Sequence, residues 1–350
     1  MRLRSFMQFT APSVLLMLAL LALPLAMTFW LSVRNCTVDL ELVSVQQTGP
    51  FGAQEVLTQR ARLNAKGQVE ESCRFVGTDY YRKILGLDAG TALTAARSPA
   101  TAAVTAPTAP PAPPAPTAPT DVKNEFWAAL SFTLTYVAVT TPFILGGGLL
   151  LALAMNRVTQ RLKGAFIAAS LLPFIITPVV GALAIKWLFR EHGLVPNVLS
   201  QFGVEIFWMA QAWSARLLII LYGVWHVLPF AFIVFYAGLQ SVSQDTLEAA
   251  TLDGASAWQK LRYVTLPHLM PLVVFVTLIH VMDAYRVFEP VLVLTQGAFT
   301  TSVQYLTYDI LMQQNNPFKA SAAAVLTVLG IAVLLIPLLR KTWREQRAVH

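Results

Sequence analysis

Charge is scarce in this chain. Asp, Glu, Lys and Arg make up 12% of 350 residues, about half of the roughly 25% usual in soluble domains. Cysteine is scarcer still, with only Cys36 and Cys73, which excludes a small domain stapled by several disulfides. The five histidines and two cysteines include no pair at metal-ligand spacing, so no metal site is expected. There is no strand–GxxxxGK[ST]–helix arrangement, so the chain is not expected to hydrolyse ATP by itself. A nucleophile elbow is also missing. With no catalytic residue to name, the chain reads as a non-enzyme. The net charge of +7 is not interleaved with aromatics in a soluble domain, which sets nucleic acid aside.

What the sequence has in quantity is apolar surface, 56% of its residues. Long apolar runs occur near 11–33, 127–155, 165–189, 217–240, 269–294 and 320–339, each close to the roughly 20 residues that cross a bilayer as a helix. Six membrane-spanning helices are therefore expected. The first run follows a basic head, as a signal peptide would, but it is too long for a signal core and no small-x-small site follows Trp30; it reads as a retained span. Several runs contain prolines (Pro142, Pro173, Pro178, Pro229, Pro290), tolerated where neighbouring helices satisfy the freed backbone groups. Gly146, Gly147 and Gly148 lie within a run and permit close helix approach.

The intervals between runs divide the chain. Residues 1–34 are an N-terminal tail and first span, and 35–126 a long extramembrane loop. Within that loop a Pro/Ala/Thr-rich tract at 98–120 has little to bury and reads as a disordered, semi-stiff tether. Residues 127–340 form a core of five spans, and 341–350 a basic tail. If the N-terminus is cytoplasmic, the inner segments hold Arg2, Arg4, Arg157, Arg161, Lys163, Lys260, Arg262, Arg340, Lys341, Arg344 and Arg347, whereas the short outer loops hold only Arg190, Arg216 and Lys319. The bias of basic residues toward the inside places both termini in the cytoplasm. Cys36 and Cys73 then lie outside, where a disulfide between them is chemically allowed, and closing such a loop stabilises by about 4 kcal/mol in the chain-entropy description.

Between the fourth and fifth runs lies a polar island, residues 248–267, EAATLDGASAWQKLRYVTLP. Gly254 supplies a turn, Leu266-Pro267 closes the stretch, and the pattern predicts two short helices joined at that turn. On the charge count it faces the cytoplasm. Glu248 is expected to complement the positive end of the first helix, and Asp253 to cap the second. The spacing Glu248-Ala249-Ala250, Asp253-Gly254-Ala255, Leu266-Pro267 resembles the EAA loop of ABC transporter permease subunits. FVGTDYYRKIL before the second span, TLTYVAVTTPFILGGGLLLALAMNR, KGAFIAASLLPFIITPVVGALAIKWLF, HGLVPNVL and VWHVLPFAFIVFYAGLQSVSQDTLEAATLDGA extend the likeness over about 300 residues, loop insertion excepted. The chain is similar to the sugar-type, binding-protein-dependent branch, and within it to the first of the two permeases of maltose and glycerol-phosphate systems. Where that family shows Gly-Gly-Pro after the fifth span, this chain reads TQGAFTTSV.

The resemblance implies an all-α membrane protein, the six-helix type I importer permease fold with a cytoplasmic EAA coupling loop and an enlarged periplasmic loop, in a bacterial inner membrane. It further implies a second homologous permease, two ATP-binding cassette subunits that bind the ATP and Mg, and an external solute-binding protein. The solute would be a sugar, polyol or glycerol-phosphate-like molecule. For its pathway the residues themselves offer candidates, because ionisable groups inside spans are costly and mark function. His280, Asp283, Ala284 and Val287 share one helical face, and His226 and Phe230 of the preceding span offer a polar contact and a stacking surface. Asp283, Arg286 and Glu289 equally allow an internal salt-bridge ladder. Lys186 is expected to snorkel to the outer interface. The alternative function is a secondary transporter driven by an ion gradient, with Asp283 and His280 carrying protons; the polar island and the lack of an inverted repeat speak against it. A membrane-anchored scaffold presenting the external loop leaves the five later spans without a purpose.

Overall fold

The computed structural model describes residues 3–38, 40–49, 52–61, 71–87 and 122–347. The proline tract at 98–120 lies outside them. Packing groups the chain into two compact units, Met1–Lys123 with Thr307–Leu326, and Asn124–Leu306 with Thr327–His350.

In the first unit, helix α1 (Leu3–Ser32) runs unbroken past Pro12 and Pro24. Thr28 donates to the Pro24 carbonyl at 2.8 Å. Its 23-residue stretch Thr10–Ser32 is long and apolar enough to cross a membrane, with Leu15, Leu20 and Leu23 turned outward. Beyond it the all-helical expectation needs an addition. Strands β1 (Arg34–Val38) and β4 (Glu71–Phe75) pair antiparallel with Cys36 opposite Cys73, and a disulfide joins the two sulfurs. Between them β2 (Leu40–Gly49) and β3 (Gly52–Ala61) form a hairpin, whose Val- and Thr-containing runs suit extended backbone. Helix α2 (Asp79–Leu85) ends on Gly86 in the left-handed region. It buries Tyr80 and Ile84, and burial raises the Tyr80 hydroxyl above its ordinary pKa while a hydrogen bond to Asn316 opposes the rise.

The second unit is a helix bundle. Helix α3 (Val122–Asn156) is followed by α4 (Gln160–Ile175), α5 (Pro178–Phe189), α6 (Leu194–Ser200) and α7 (Ala212–Gln240). Two short helices come next, α8 (Gln244–Leu252) and α9 (Ala257–Lys260), then α10 (Leu266–Tyr285). Helix α11 (Val303–Met312) and the long α12 (Pro317–Arg347) follow, their Thr307–Leu326 portion belonging to the first unit. Among the described residues five helices are long and apolar enough to span a membrane, or six if the bent pair α4 and α5–α6 counts as one.

The third apolar run, near 165–189 and interrupted by Pro173 and Pro178, folds as that pair. The chain turns by 95° between Ile175 and Pro178. Ile176 and Thr177 are extended, with ψ of 132° and 142°, because a residue before proline is pushed out of the helical region. Pro178 then opens α5, where its missing N–H costs nothing. The fifth span is shorter than the apolar run implied. Helix α10 stops at Tyr285, and after Arg286 the chain re-enters through a π-helical turn, Val291–Thr295.

Helix α7 is the hub. Toward one end Leu218, Ile219 and Tyr222 pack with Tyr136 of α3 and with Val291 and Leu294. Toward the other, Ala231, Phe232 and Phe235 pack with Ile144, Ala152 and Met155 of α3 and Val276 of α10. Burying each Phe or Leu against such neighbours is worth about 1.5–3 kcal/mol in an aqueous reference. Close approach depends on Gly148, where a Cβ would sit 2.7 Å from the Ala231 Cβ and 3.0 Å from the Phe232 nitrogen. Gly146, by contrast, faces open space.

Candidate functional site

Two features of the second unit hold the residues singled out above. The first is the polar island. Helix α8 buries none of its residues and ends in a Schellman motif: the Gly254 N–H reaches the Thr251 carbonyl at 3.1 Å and the Ala255 N–H reaches that of Ala250 at 2.9 Å. Gly254 has φ +77°, a left-handed conformation that only glycine adopts without strain. Glu248, Ala249, Asp253 and Pro267 are exposed, and Ala250, Ala255 and Leu266 half-buried. Leu252, 89% exposed, and Trp258, 67% exposed, stand out from the two arms. Lys260 links them by donating to the Thr251 hydroxyl at 3.2 Å.

Three local readings change. Asp253 does not cap the second helix; it terminates the first. The cap is Ser256, whose hydroxyl accepts from the Gln259 N–H at 3.3 Å while its own N–H donates to Gln259 Oε1 at 2.7 Å, a capping box that Ser-x-x-Gln announces in sequence. Glu248 lies in the second turn of α8, and Asp245 occupies the first turn that complements the helix dipole. Nor does Leu266-Pro267 close the island. The helix widens into a π-turn, Leu261–Thr265, and continues as α10. In that turn the Leu266 N–H bonds back five residues to Leu261, which leaves room for the proline that follows without an N–H of its own.

The second feature is a cavity of about 260 Å³ between α3, α5, α7 and α10. His226, His280, Asp283, Ala284 and Val287 lie on its wall. Phe230 does not; it stacks on Phe174 of α4 with ring centres 5.6 Å apart. His280 is buried and its Nε2 lies 3.0 Å from the Thr140 hydroxyl, which already donates to the Tyr136 carbonyl. A hydroxyl has one proton, so Nε2 carries the hydrogen here. The opposite nitrogen, Nδ1, is left as a buried acceptor without a partner. Asp283 and Arg286 meet at 3.9 Å on the exposed side. Because α10 ends at Tyr285, Arg286 and Glu289 no longer sit a helical turn apart.

His226 has a second task. Its Nδ1 lies 2.8 Å from the Pro173 carbonyl, and Tyr222, one turn earlier, donates to the Pro178 carbonyl at 2.7 Å. Their rings stack at 5.6 Å and 10°. The two side chains of α7 thus hold both sides of the bend between α4 and α5. Tyr222, Tyr136 and Gln304, all on the cavity wall, escaped the sequence reading. Tyr222 could have been found from its four-residue spacing to His226, but Gln304 lies on α11, whose approach no local pattern reveals. Lys186 does not reach for the interface: its ammonium donates to the Val293 carbonyl at 2.7 Å. Among the described residues no cluster of His, Cys, Asp or Glu has the grouping of a metal site.

Residues 121–347, which include both features, match the family of binding-protein-dependent transport system inner membrane components. The chain belongs to that family. It is thus a multi-pass membrane permease, and its relatives are permease subunits of sugar transporters rather than enzymes. The trehalose transport system permease protein SugA of Mycobacterium tuberculosis is 37% identical over 213 residues, 60% of this chain and 67% of that protein. The arabinooligosaccharides transport system permease protein AraP of Halalkalibacterium halodurans is 32% identical over 219 residues, 60% and 69% of the two chains. In three dimensions the permease is similar to a chain of a bacterial ABC transporter involved in alginate import, with TM-score 0.59, 26% identity and coverage of 63% and 79%. That transporter is also known in complex with a periplasmic protein bound to an alginate pentasaccharide.

Proposed function

We propose that this permease is one of two homologous membrane subunits of an ATP-driven importer for a carbohydrate-type solute, a sugar, polyol or glycerol-phosphate-like molecule. Two ATPase subunits bind the ATP and Mg, and an external binding protein delivers the solute. Both termini lie in the cytoplasm. The residues from Glu248 to Pro267 meet the ATPase, and their movement rocks the bundle between outward and inward openings. The chain itself holds no ATPase site.

The observation that carries this reading is the arrangement of residues 244–260: two short helices joined at a left-handed glycine, with large apolar side chains exposed, inside the region matched to binding-protein-dependent transport components. Single apolar residues scattered over a surface are ordinary, but here each arm of the turn exposes a large apolar side chain, Leu252 on one and Trp258 on the other. The solute class is supported by the cavity. Its volume suits a single sugar ring, and its wall offers a carboxylate on Asp283 and a guanidinium on Arg286.

The test is ATP hydrolysis by the reconstituted complex, stimulated by loaded binding protein. Gly254→Asp is expected to abolish the stimulation, leaving only the basal rate. Unchanged stimulation in that variant removes the coupling role from the turn.

A further inference from the structure

Helix α5 has a cavity at each end. Pro178, its first residue, lines the one beside His280. Around its last turn and the segment leading into α7 lies a larger one, about 600 Å³, which contains none of the pathway candidates. Its wall is built from Trp187, Phe189, Phe207 and Trp208, with Arg190 and Glu191 at the same level. Trp208 stands edge-on to Phe189, ring centres 5.0 Å apart, and its indole nitrogen is buried without a hydrogen-bond partner. Arg190 lies 5.4 Å over the Trp187 ring. Lys186 also faces this space, but its ammonium is taken by the Val293 carbonyl.

What the cavity presents is therefore flat aromatic surface, a guanidinium and a carboxylate. An acyl chain would use the rings and leave the polar groups idle. An anionic headgroup would suit Arg190 and be repelled by Glu191. A sugar ring uses all of them. Its C–H faces lie on aromatic planes, its oxygens accept from Arg190, and its hydroxyl protons reach Glu191. The volume is in the range of small-molecule sites. Pro178 and Trp187 are nine residues apart, about 14 Å along the helix, so one rigid element carries both cavities.

We propose that the cavity at the C-terminal end of α5 is an outer carbohydrate-binding station, occupied before the cavity beside His280. This rests on the reading of the chain as a carbohydrate permease, with the basic-residue bias setting this end outside.

The experiment uses the complete transporter in lipid nanodiscs, and trehalose, maltose, lactose, arabinose and glycerol 3-phosphate as probes, each first tested for ATP-dependent uptake by cells bearing the transporter. A transported probe is expected to change tryptophan fluorescence saturably. Trp208→Phe removes most of that change, and Arg190→Gln weakens the apparent affinity about tenfold, as loss of one charged hydrogen bond would. Arg190 is exposed, so its substitution does not put folding at risk. Uptake of a probe with no such change, or with one indifferent to both Trp208→Phe and Arg190→Gln, overturns the station and leaves the permease reading intact. Quenching of Trp208 by brominated acyl chains, undiminished by sugar, overturns it in favour of lipid. If no probe is taken up and none alters the fluorescence, the solute class and the station fall together.

Discussion

A methyl group added at Gly254 would touch nothing within 4 Å, so the obstacle at that position is conformational alone. An L-residue in the left-handed region costs about 1–2 kcal/mol, less for asparagine, which visits it more readily. Gly254→Asn is therefore expected to retain more binding-protein-stimulated ATP hydrolysis than Gly254→Ala, although asparagine is the larger side chain. The opposite order would mean that bulk at a docked surface, rather than backbone shape, governs the turn. This position was legible in sequence because a glycine set between two stretches of helix-forming residues marks a turn. Its neighbours were less so. The capping role expected of Asp253 belongs to Ser256, and the Ser256–Gln259 spacing carried that signal. The unpaired acceptor on His280 was not visible at all, since it depends on a threonine 140 residues away in sequence.

Among the elements, α3 and α7 meet through Gly148, and the sequence pointed to that contact through three consecutive glycines without saying which of them makes it. The structure distinguishes them: Gly148 meets the α7 backbone and Gly146 meets nothing within 4 Å. Gly148→Leu is expected to destabilise the bundle by about 1–3 kcal/mol or more, the scale of overpacking, whereas Gly146→Leu should be nearly silent. Thermal midpoints in detergent would check the pair, and equal losses would show that helix propensity, not approach, matters there. The bend between α4 and α5 was half legible. Pro173 and Pro178 marked the place, but prolines also sit in straight spans, as Pro12 and Pro24 do in α1. What distinguishes the bend is the extended pair Ile176 and Thr177, with Tyr222 and His226 holding the carbonyls on either side. Those partners come from a different helix, beyond the reach of periodicity.

For the whole molecule, composition alone dictates a helical membrane protein, because so few charges and such long apolar runs leave no soluble alternative. The strands after α1 were not readable, since β1 and β4 pair across a separation of 37 residues at their cysteines and have no periodic signal of their own. The orientation of the bundle remains an expectation from the placement of Lys and Arg. It predicts that single cysteines introduced near Arg161 and Lys260, in a cysteine-free background, are shielded from a membrane-impermeant maleimide in intact cells, and that one near Arg216 is labelled. The reverse pattern would invert the topology and remove the polar island from the reach of any ATPase.

The continuity of the chain through Pro267 has a mechanical consequence. From Ala257 to Tyr285 the backbone is one helical stretch of 29 residues, roughly 43 Å long at 1.5 Å per residue. Trp258 is exposed at one end and His280 lines a cavity near the other. A rod of that length tilted by about 10° around its middle swings its ends about 4 Å in opposite directions. Force applied at the Ala257 end would then reach the cavity beside His280 as a lever stroke, with the π-turn at Leu261–Thr265 as the place where the shaft can flex.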